Sequence, residues 1–225
     1  MIRWEQPGYV VGFTTRSGGV SEGVYASLNL TSGTGDDRSR VAVNRRIACS
    51  ELGLDHDRLS FNRQVHSTFV HRAGSRGADG DGLWSDEPGE PMLALGADCL
   101  PIAVARTGGE RALAVLHAGW RGLADGLVAA GVAALGDGAK AAVVGPAIGP
   151  CCYEVGEDVA ALFDDDLTVA GRLDLWAAAE RALRRAGVER IERLDLCTRC
   201  HPELFFSHRR DGRARGAQGV IGALA

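Results

Sequence analysis

Three polar side chains stand where apolar stretches of this sequence give out: His66, Cys99 and His117. Two imidazoles and a thiolate suit zinc. Three protein ligands leave a fourth position for water, as in catalytic rather than closed structural sites. Their wide separations match no short zinc-finger motif. A buried thiol and two ordinary histidines fit the same pattern, so spacing alone leaves both readings open. Asp98, beside Cys99, is costly to bury unless paired. It serves either to orient a ligand or act as general base on a bound water, or as a turn residue paired with an arginine.

His117-Ala-Gly-Trp-Arg-Gly122 reads as a strand end, a glycine-rich turn and a helix start, so backbone N–H groups and the helix dipole face whatever binds there. Arg121 in that turn is a candidate clamp for phosphate or carboxylate. Phe205-Phe-Ser-His-Arg-Arg-Asp211 reads as a strand delivering His208, Arg209 and Arg210 to an anion pocket. Cys197-Thr-Arg-Cys200-His201 matches the C-x-x-C-H pattern of covalent haem. Attachment of that kind belongs to exported proteins, and the N-terminus has no apolar signal region, so the match is read as chance. A single C-x-x-C does not make a zinc ribbon, although Cys151-Cys152 can come near it in space. Asp79-Gly-Asp-Gly82 lacks the later glutamate of a calcium loop and reads as a turn.

The elements needed to hold these residues can be drawn from periodicity. A strand begins at Tyr9 and leads into a glycine-rich turn, and a helix covers about 39–52. A strand over 59–71 carries Gln64-Val-His66. Apolar β segments at 92–97 and 100–105 flank Asp98-Cys99, and a buried strand over 112–116 ends at His117. A helix over 123–135, a strand over 141–144 and the loop Gly145-Pro-Ala-Ile-Gly-Pro150 follow. Helices near 156–163 and 174–186, strands near 190–196 and 204–207 and a last segment at 218–224 complete one domain spanning 1–225. Helices and strands alternate only in part, which favours a mixed α/β layered domain over a pure Rossmann sheet.

Composition narrows the function. The chain has 225 residues, 45% hydrophobic and 24% charged, with a net charge of −4. Its 31 glycines are about twice the usual share of roughly 7% and call for many tight turns. Of the 25 basic residues Lys140 is the one lysine, and Ala141 follows it, so there is no Walker phosphate loop. No apolar run approaches the roughly 18 residues of a membrane helix, so a cytoplasmic chain with free or metal-bound thiols is expected. Basic residues outnumber acidic ones over 181–215, yet few aromatics are interleaved and the whole chain is acidic, which argues against nucleic acid.

Taken together, the motifs resemble a known family. Arg16-Ser-Gly-Gly-Val-Ser21, Ser27-Leu-Asn-Leu30, Gln64-Val-His66, Ala97-Asp-Cys99 with Pro101, His117-Ala-Gly-Trp-Arg-Gly122, Gly145-Pro-Ala-Ile-Gly-Pro-Cys-Cys-Tyr-Glu-Val-Gly156 and Phe205-Phe-Ser-His-Arg-Arg-Asp-Gly212 occur in order. They are similar to those of the bacterial YfiH/YlmD family, also called the multicopper polyphenol oxidase or laccase-domain family. One stretch departs: Arg213-Ala-Arg-Gly-Ala-Gln218 replaces an expected Thr-Gly-Arg.

The resemblance implies a layered α/β/β/α fold and zinc, with copper as the alternative metal, on His66, Cys99 and His117. It implies phosphorolysis of adenosine, inosine, guanosine and methylthioadenosine, with adenosine deamination as a second activity. A water acidified by zinc to a pKa of about 7 suits attack on purine C6. Arg16, Arg121, His208 and Arg209 are the candidate phosphate contacts, and Asp98 joins the metal ligands as a catalytic candidate. The partners are then a nucleoside and phosphate, without nucleic acid or membrane. Two competitors carry their own chemistry: a Cys99–His117 amidase acting on peptidoglycan precursors, and a copper polyphenol oxidase, for which six histidines are few.

Overall fold

The computed structural model describes residues 1–74 and 76–225, and both sheets of the fold are mixed. In chain order the strands are β1 (Ile2–Trp4), β2 (Tyr9–Phe13), β3 (Ser60–Arg63), β4 (Val70–Arg72), β5 (Arg76–Asp79), β6 (Gly82–Ser85), β7 (Met92–Gly96), β8 (Leu100–Arg106), β9 (Ala112–Ala118), β10 (Lys140–Val144), β11 (Thr168–Val169), β12 (Arg172–Leu173), β13 (Arg190–Arg193) and β14 (Gln218–Leu224). The helices are α1 (Arg38–Glu51), α2 (Trp120–Asp125), α3 (Leu127–Ala134), α4 (Glu157–Ala160), α5 (Leu175–Arg185) and α6 (His208–Asp211). One sheet runs β1-β2-β14-β7-β3-β5 and the other β13-β10-β8-β9-β6-β4, with β11 and β12 as a separate hairpin.

The layering follows from strands that are apolar on both faces, because successive side chains of a strand point to opposite sides. Ala103, Ala105, Leu113, Val115, Ala141 and Val143 meet Val11, Met92, Ala94 and Val220 between the two sheets. Their neighbours Ile102, Val104, Ala114, Leu116, Ala142 and Val144 face the other way, onto α2, α3 and α5. Leu93 and Ile221 point out of the first sheet and pack under α1 with Leu28, Leu30, Ala48 and Cys49. The result is the expected α/β/β/α order, with β8, β9 and β10 covered on both sides. Gly131 lets α3 lie close on β9, since a Cβ there would stand 2.7 Å from the Leu116 side chain.

Several elements differ from the sequence reading. The expected strand over 59–71 stops at Arg63 and resumes at Val70, because the Val65 and Ser67 N–H groups bond to the Asp81 carboxylate instead of a strand partner. The segment 204–207 is no strand. The N–H and C=O of Phe206 are taken by the side-chain amide of Gln218, and α6 follows. The helix expected at 123 starts at Trp120 and breaks at Gly126, whose φ of 95° suits a residue without Cβ. The helix expected over 156–163 is α only over Glu157–Ala160.

Asn44, buried in α1, ties down the Arg16–Thr31 loop. Its amide donates to Ser21 Oγ, Ser27 O and Asn29 O, and its Oδ1 accepts from Val20 N. Asn44→Ala removes the partners of Val20 N and Asn29 O, while Ser21 Oγ keeps Asp36 and Ser27 O keeps Ser21 N. The expected loss is about 1–3 kcal/mol, read as a lower urea midpoint with an unchanged slope; an unaltered midpoint removes Asn44 from this role.

Candidate metal and substrate site

The chain passes between the sheets through Ala97-Asp98-Cys99, from the end of β7 to the start of β8. Cys99 therefore sits at a crossover, beside the end of β9, where His117 pairs across from Pro101. His66 lies in the connection between β3 and β4. The ligand atoms of His66, Cys99 and His117 lie within 4.8 Å of one another. Cys99 Sγ is 3.9 Å from His66 Nε2, and the two imidazoles meet edge to face at 5.0 Å. Gly119 permits this convergence, because a Cβ there would stand 3.0 Å from the His66 ring and 3.1 Å from Cys99 Sγ.

Asp81 organises the ligands. Its Oδ1 lies 2.9 Å from His117 Nδ1, and its Oδ2 accepts from Val65 N, Ser67 N and Ser67 Oγ. An ionised carboxylate only accepts, so Nδ1 carries the proton and Nε2 is left as a ligand. Burial raises the Asp81 carboxyl, but the His117 and Ser67 hydrogen bonds overcome it and hold the group well below the usual range. Burial likewise raises the Cys99 thiol, and the charge and hydrogen bonds of His117 and His66 more than reverse this. His117 is pushed up in turn by Cys99 and Asp81, against its burial. Two imidazoles, a readily ionised thiol and a carboxylate orienting one imidazole fit a zinc-type ion with an open fourth position.

A cavity of about 870 Å³ opens over these donors. Asp98 borders it, but both of its carboxylate oxygens are taken, Oδ1 by Thr198 Oγ1 and Oδ2 by Arg209 N, each at 2.6 Å. That geometry makes Asp98 an anchor for the cavity wall. His208 and Arg209 line the cavity, with Arg209 lying over the Tyr153 ring and bonded to Glu154 O. Arg16 and Arg121 are not brought to it. Arg16 is spent on Ala26 O, Pro202 O and the face of Phe206, while Arg121 lies over Trp120.

Residues that sequence reasoning passed over take those places. Arg215, from the stretch that departs from the family pattern, lines the cavity, and its buried Nε has no hydrogen-bond partner among the described residues. Arg38 and Arg45 line the cavity as well. Burial lowers Arg45 to about 10, still cationic at neutral pH. Asp81 was read as part of a turn; its one sequence signal was an acid immediately before a strand with apolar Leu83 and Trp84. Asp81→Asn keeps the shape but weakens the hold on His117. Metal affinity should fall by about 10–100-fold in chelator competition, and an unchanged affinity would remove Asp81 as the orienting group.

Residues 10–224 match the family described as multi-copper polyphenol oxidoreductase laccase. A purine nucleoside phosphorylase of Haemophilus influenzae is 34% identical over 236 residues, 97% of this chain and 96% of its own. The purine nucleoside phosphorylase YlmD of Geobacillus stearothermophilus is 37% identical over 245 residues, 94% of this chain and 88% of its own. The crystal structure of Bacillus licheniformis YfiH aligns with a TM-score of 0.91 at 31% identity, over 96% of this chain and 93% of that one. The family match, the whole-length similarity and the shared fold agree: this chain belongs to the multi-copper polyphenol oxidoreductase laccase family, alongside the YfiH and YlmD proteins.

Proposed function

We propose that this chain is a purine nucleoside phosphorylase with adenosine deaminase activity, and that His66, Cys99 and His117 hold zinc for it. One observation carries the reading: a single cavity joins three candidate metal donors to a cationic wall that contains a buried guanidinium N–H without a partner among the described residues. A buried donor without an acceptor is costly, and a phosphate oxygen is the acceptor that would relieve it. Names of relatives such as YlmD support the same substrate class. Phe61, Trp120 and Tyr153 also line the cavity and provide aromatic surface for a purine.

In phosphorolysis a phosphate oxygen bonds to ribose C1′ while the bond from C1′ to the purine nitrogen breaks. The electron pair leaves with the base, which takes up a proton. Arg215, Arg209 and His208 hold the phosphate and offset its charge, and enclosure in the cavity keeps water from competing. In deamination a water oxygen bonds to C6 and ammonia departs. When bound, the ion supplies Lewis acidity and a water acidified towards neutrality. Asp81 keeps His117 oriented for it, and Asp98 holds the backbone at Arg209. These substrates are free cytoplasmic nucleosides, and no helix among the described residues is long and apolar enough to cross a membrane.

Donor chemistry weighs against the oxidase reading. Multicopper reduction of oxygen draws on many imidazoles, whereas two histidines meet at this cluster.

The decisive assay incubates zinc-loaded protein with adenosine and phosphate and separates the products. Adenine and ribose 1-phosphate should form, inosine should report the deaminase, and Cys99→Ala should form none of them while remaining folded. Adenosine left intact by folded, zinc-loaded protein would overturn the assignment and bring forward an amidase with Cys99 as nucleophile and His117 as base. Arg215→Ala should raise the KM for phosphate by about 10–100-fold, the cost of one charge-assisted contact. A phosphate dependence like that of the parent would take Arg215 out of the anion site.

A further inference from the structure

The reaction above uses one of six cysteines. Four of the others converge elsewhere. Cys151 and Cys152 close the loop after β10, and Cys197 and Cys200 bracket the turn that follows β13. Their four sulfurs all lie within 4.8 Å of one another. Cys200 Sγ is 3.4 Å from Cys152 Sγ and 3.6 Å from Cys151 Sγ. Four thiolates at about 2.3 Å from a tetrahedral zinc stand about 3.8 Å apart. The cluster already has that size, so an ion would need only small side-chain adjustments.

The backbone around the cluster is built to hold it. The two loops are joined by a parallel bridge between Ala147 and Cys197, and Thr198 N donates to Ala147 O at 3.0 Å. Gly149 N donates to Cys197 Sγ at 3.3 Å, a bond that favours the thiolate. Gly149 must be glycine here, because a Cβ would stand 2.5 Å from the Trp176 ring. Two of the thiols, Cys151 and Cys200, are exposed, which provides a path for the ion, and Cys197 is buried.

A disulfide is the competing use of such thiols, but it joins two sulfurs and gives no reason for four to gather. Cys200 is approached almost equally by Cys151 and Cys152, so no pair is singled out. We propose that Cys151, Cys152, Cys197 and Cys200 form a second metal site, a closed four-thiolate site for zinc or a similar thiophilic divalent ion. Binding releases the thiol protons to solvent and involves no redox change.

The site would staple two loops that both reach the catalytic cavity. From one loop, Ile148 N donates to Asp98 O, and Tyr153, next to Cys152, lines the cavity. From the other, Thr198 Oγ1 donates to Asp98 Oδ1. Both contacts fall on the residue before Cys99. The second ion therefore fixes the wall of the first site without touching substrate.

The test counts metal and so does not depend on any reaction. Full-length Cys99→Ala, in which the first site lacks its thiolate, is dialysed with zinc and weighed by native mass spectrometry. One zinc per chain should remain, and adding the exposed-site change Cys200→Ser should remove it. Cobalt loaded into Cys99→Ala should give the intense charge-transfer bands of a tetrahedral tetrathiolate, lost again with Cys200→Ser. Circular dichroism of both variants confirms that they are folded. A folded Cys99→Ala chain that carries no ion overturns the proposal, whether its thiols titrate as free or its mass shows a disulfide. Zinc that persists unchanged in the Cys99→Ala, Cys200→Ser chain overturns it equally.

Discussion

The site depends on one buried carboxylate. Asp81 is 2% exposed, and an isolated charge at such a position would cost several kcal/mol. It is tolerated because every contact it makes is a donor: the His117 ring, the amides of Val65 and Ser67, and the Ser67 hydroxyl. The Asp81 backbone takes part as well, since His117 N donates to Asp81 O at 2.7 Å. A single residue thus sets the orientation of one ligand and the path of the loop that bears another. His66, between the two clamped amides, adopts a φ of 60°. Asp98 adopts 94°, outside the range that residues with a side chain favour. One of these strained residues belongs to the donor cluster and the other adjoins it, and the strain is offset by the bonds of Asp81 in the first case and of Thr198, Arg209 and Ile148 in the second.

The two-sheet sandwich gives those bonds a rigid frame. Strand β8 is hydrogen-bonded along its length to β9 and β10, and all three are covered on both faces. Cys99 and His117 project from neighbouring ends of that central layer, so their separation is fixed by strand pairing. The first sheet delivers His66 through β3, with Gln64 bonded by its side-chain amide to both backbone groups of Leu95. The His66–Cys99–His117 cluster sits where the sheets exchange the chain. The arginine wall comes from α1, from α6 and from the loop that carries Arg215.

Much of this was legible in the linear order of residues. The apolar runs at 92–97, 100–105, 112–116 and 141–144 became strands of the sandwich because their composition suits burial on both faces. His66, Cys99 and His117 could be picked out as candidate donors because polar side chains at the ends of such runs have few structural reasons to be there, and the fold brings them together. The segments that misled share one cause. Residues 59–71 alternate like a strand and 204–207 form a short apolar run, yet a distant side chain, Asp81 or Gln218, supplies hydrogen bonds a strand partner would have made. Arg16 and Arg121 carry the right charge for an anion clamp, but their guanidinium groups are spent on carbonyls or aromatic faces. Arg215 has the same charge and, although its Nη1 donates to Gly212 O and Arg213 O, its buried Nε has no partner among the described residues.

By itself the sequence determined which segments are apolar enough to form the layers, which residue types are available as ligands, and the family to which their order belongs. Those properties are local: periodicity, side-chain chemistry and motif spacing act within a few residues. Only the tertiary structure decided which charged groups face the cavity and which thiols gather. It also made Asp81 the orienting acid, with Asp98 a structural anchor. Each of those outcomes is a competition for hydrogen bonds between groups far apart in the chain, and such a competition has no signature in local periodicity.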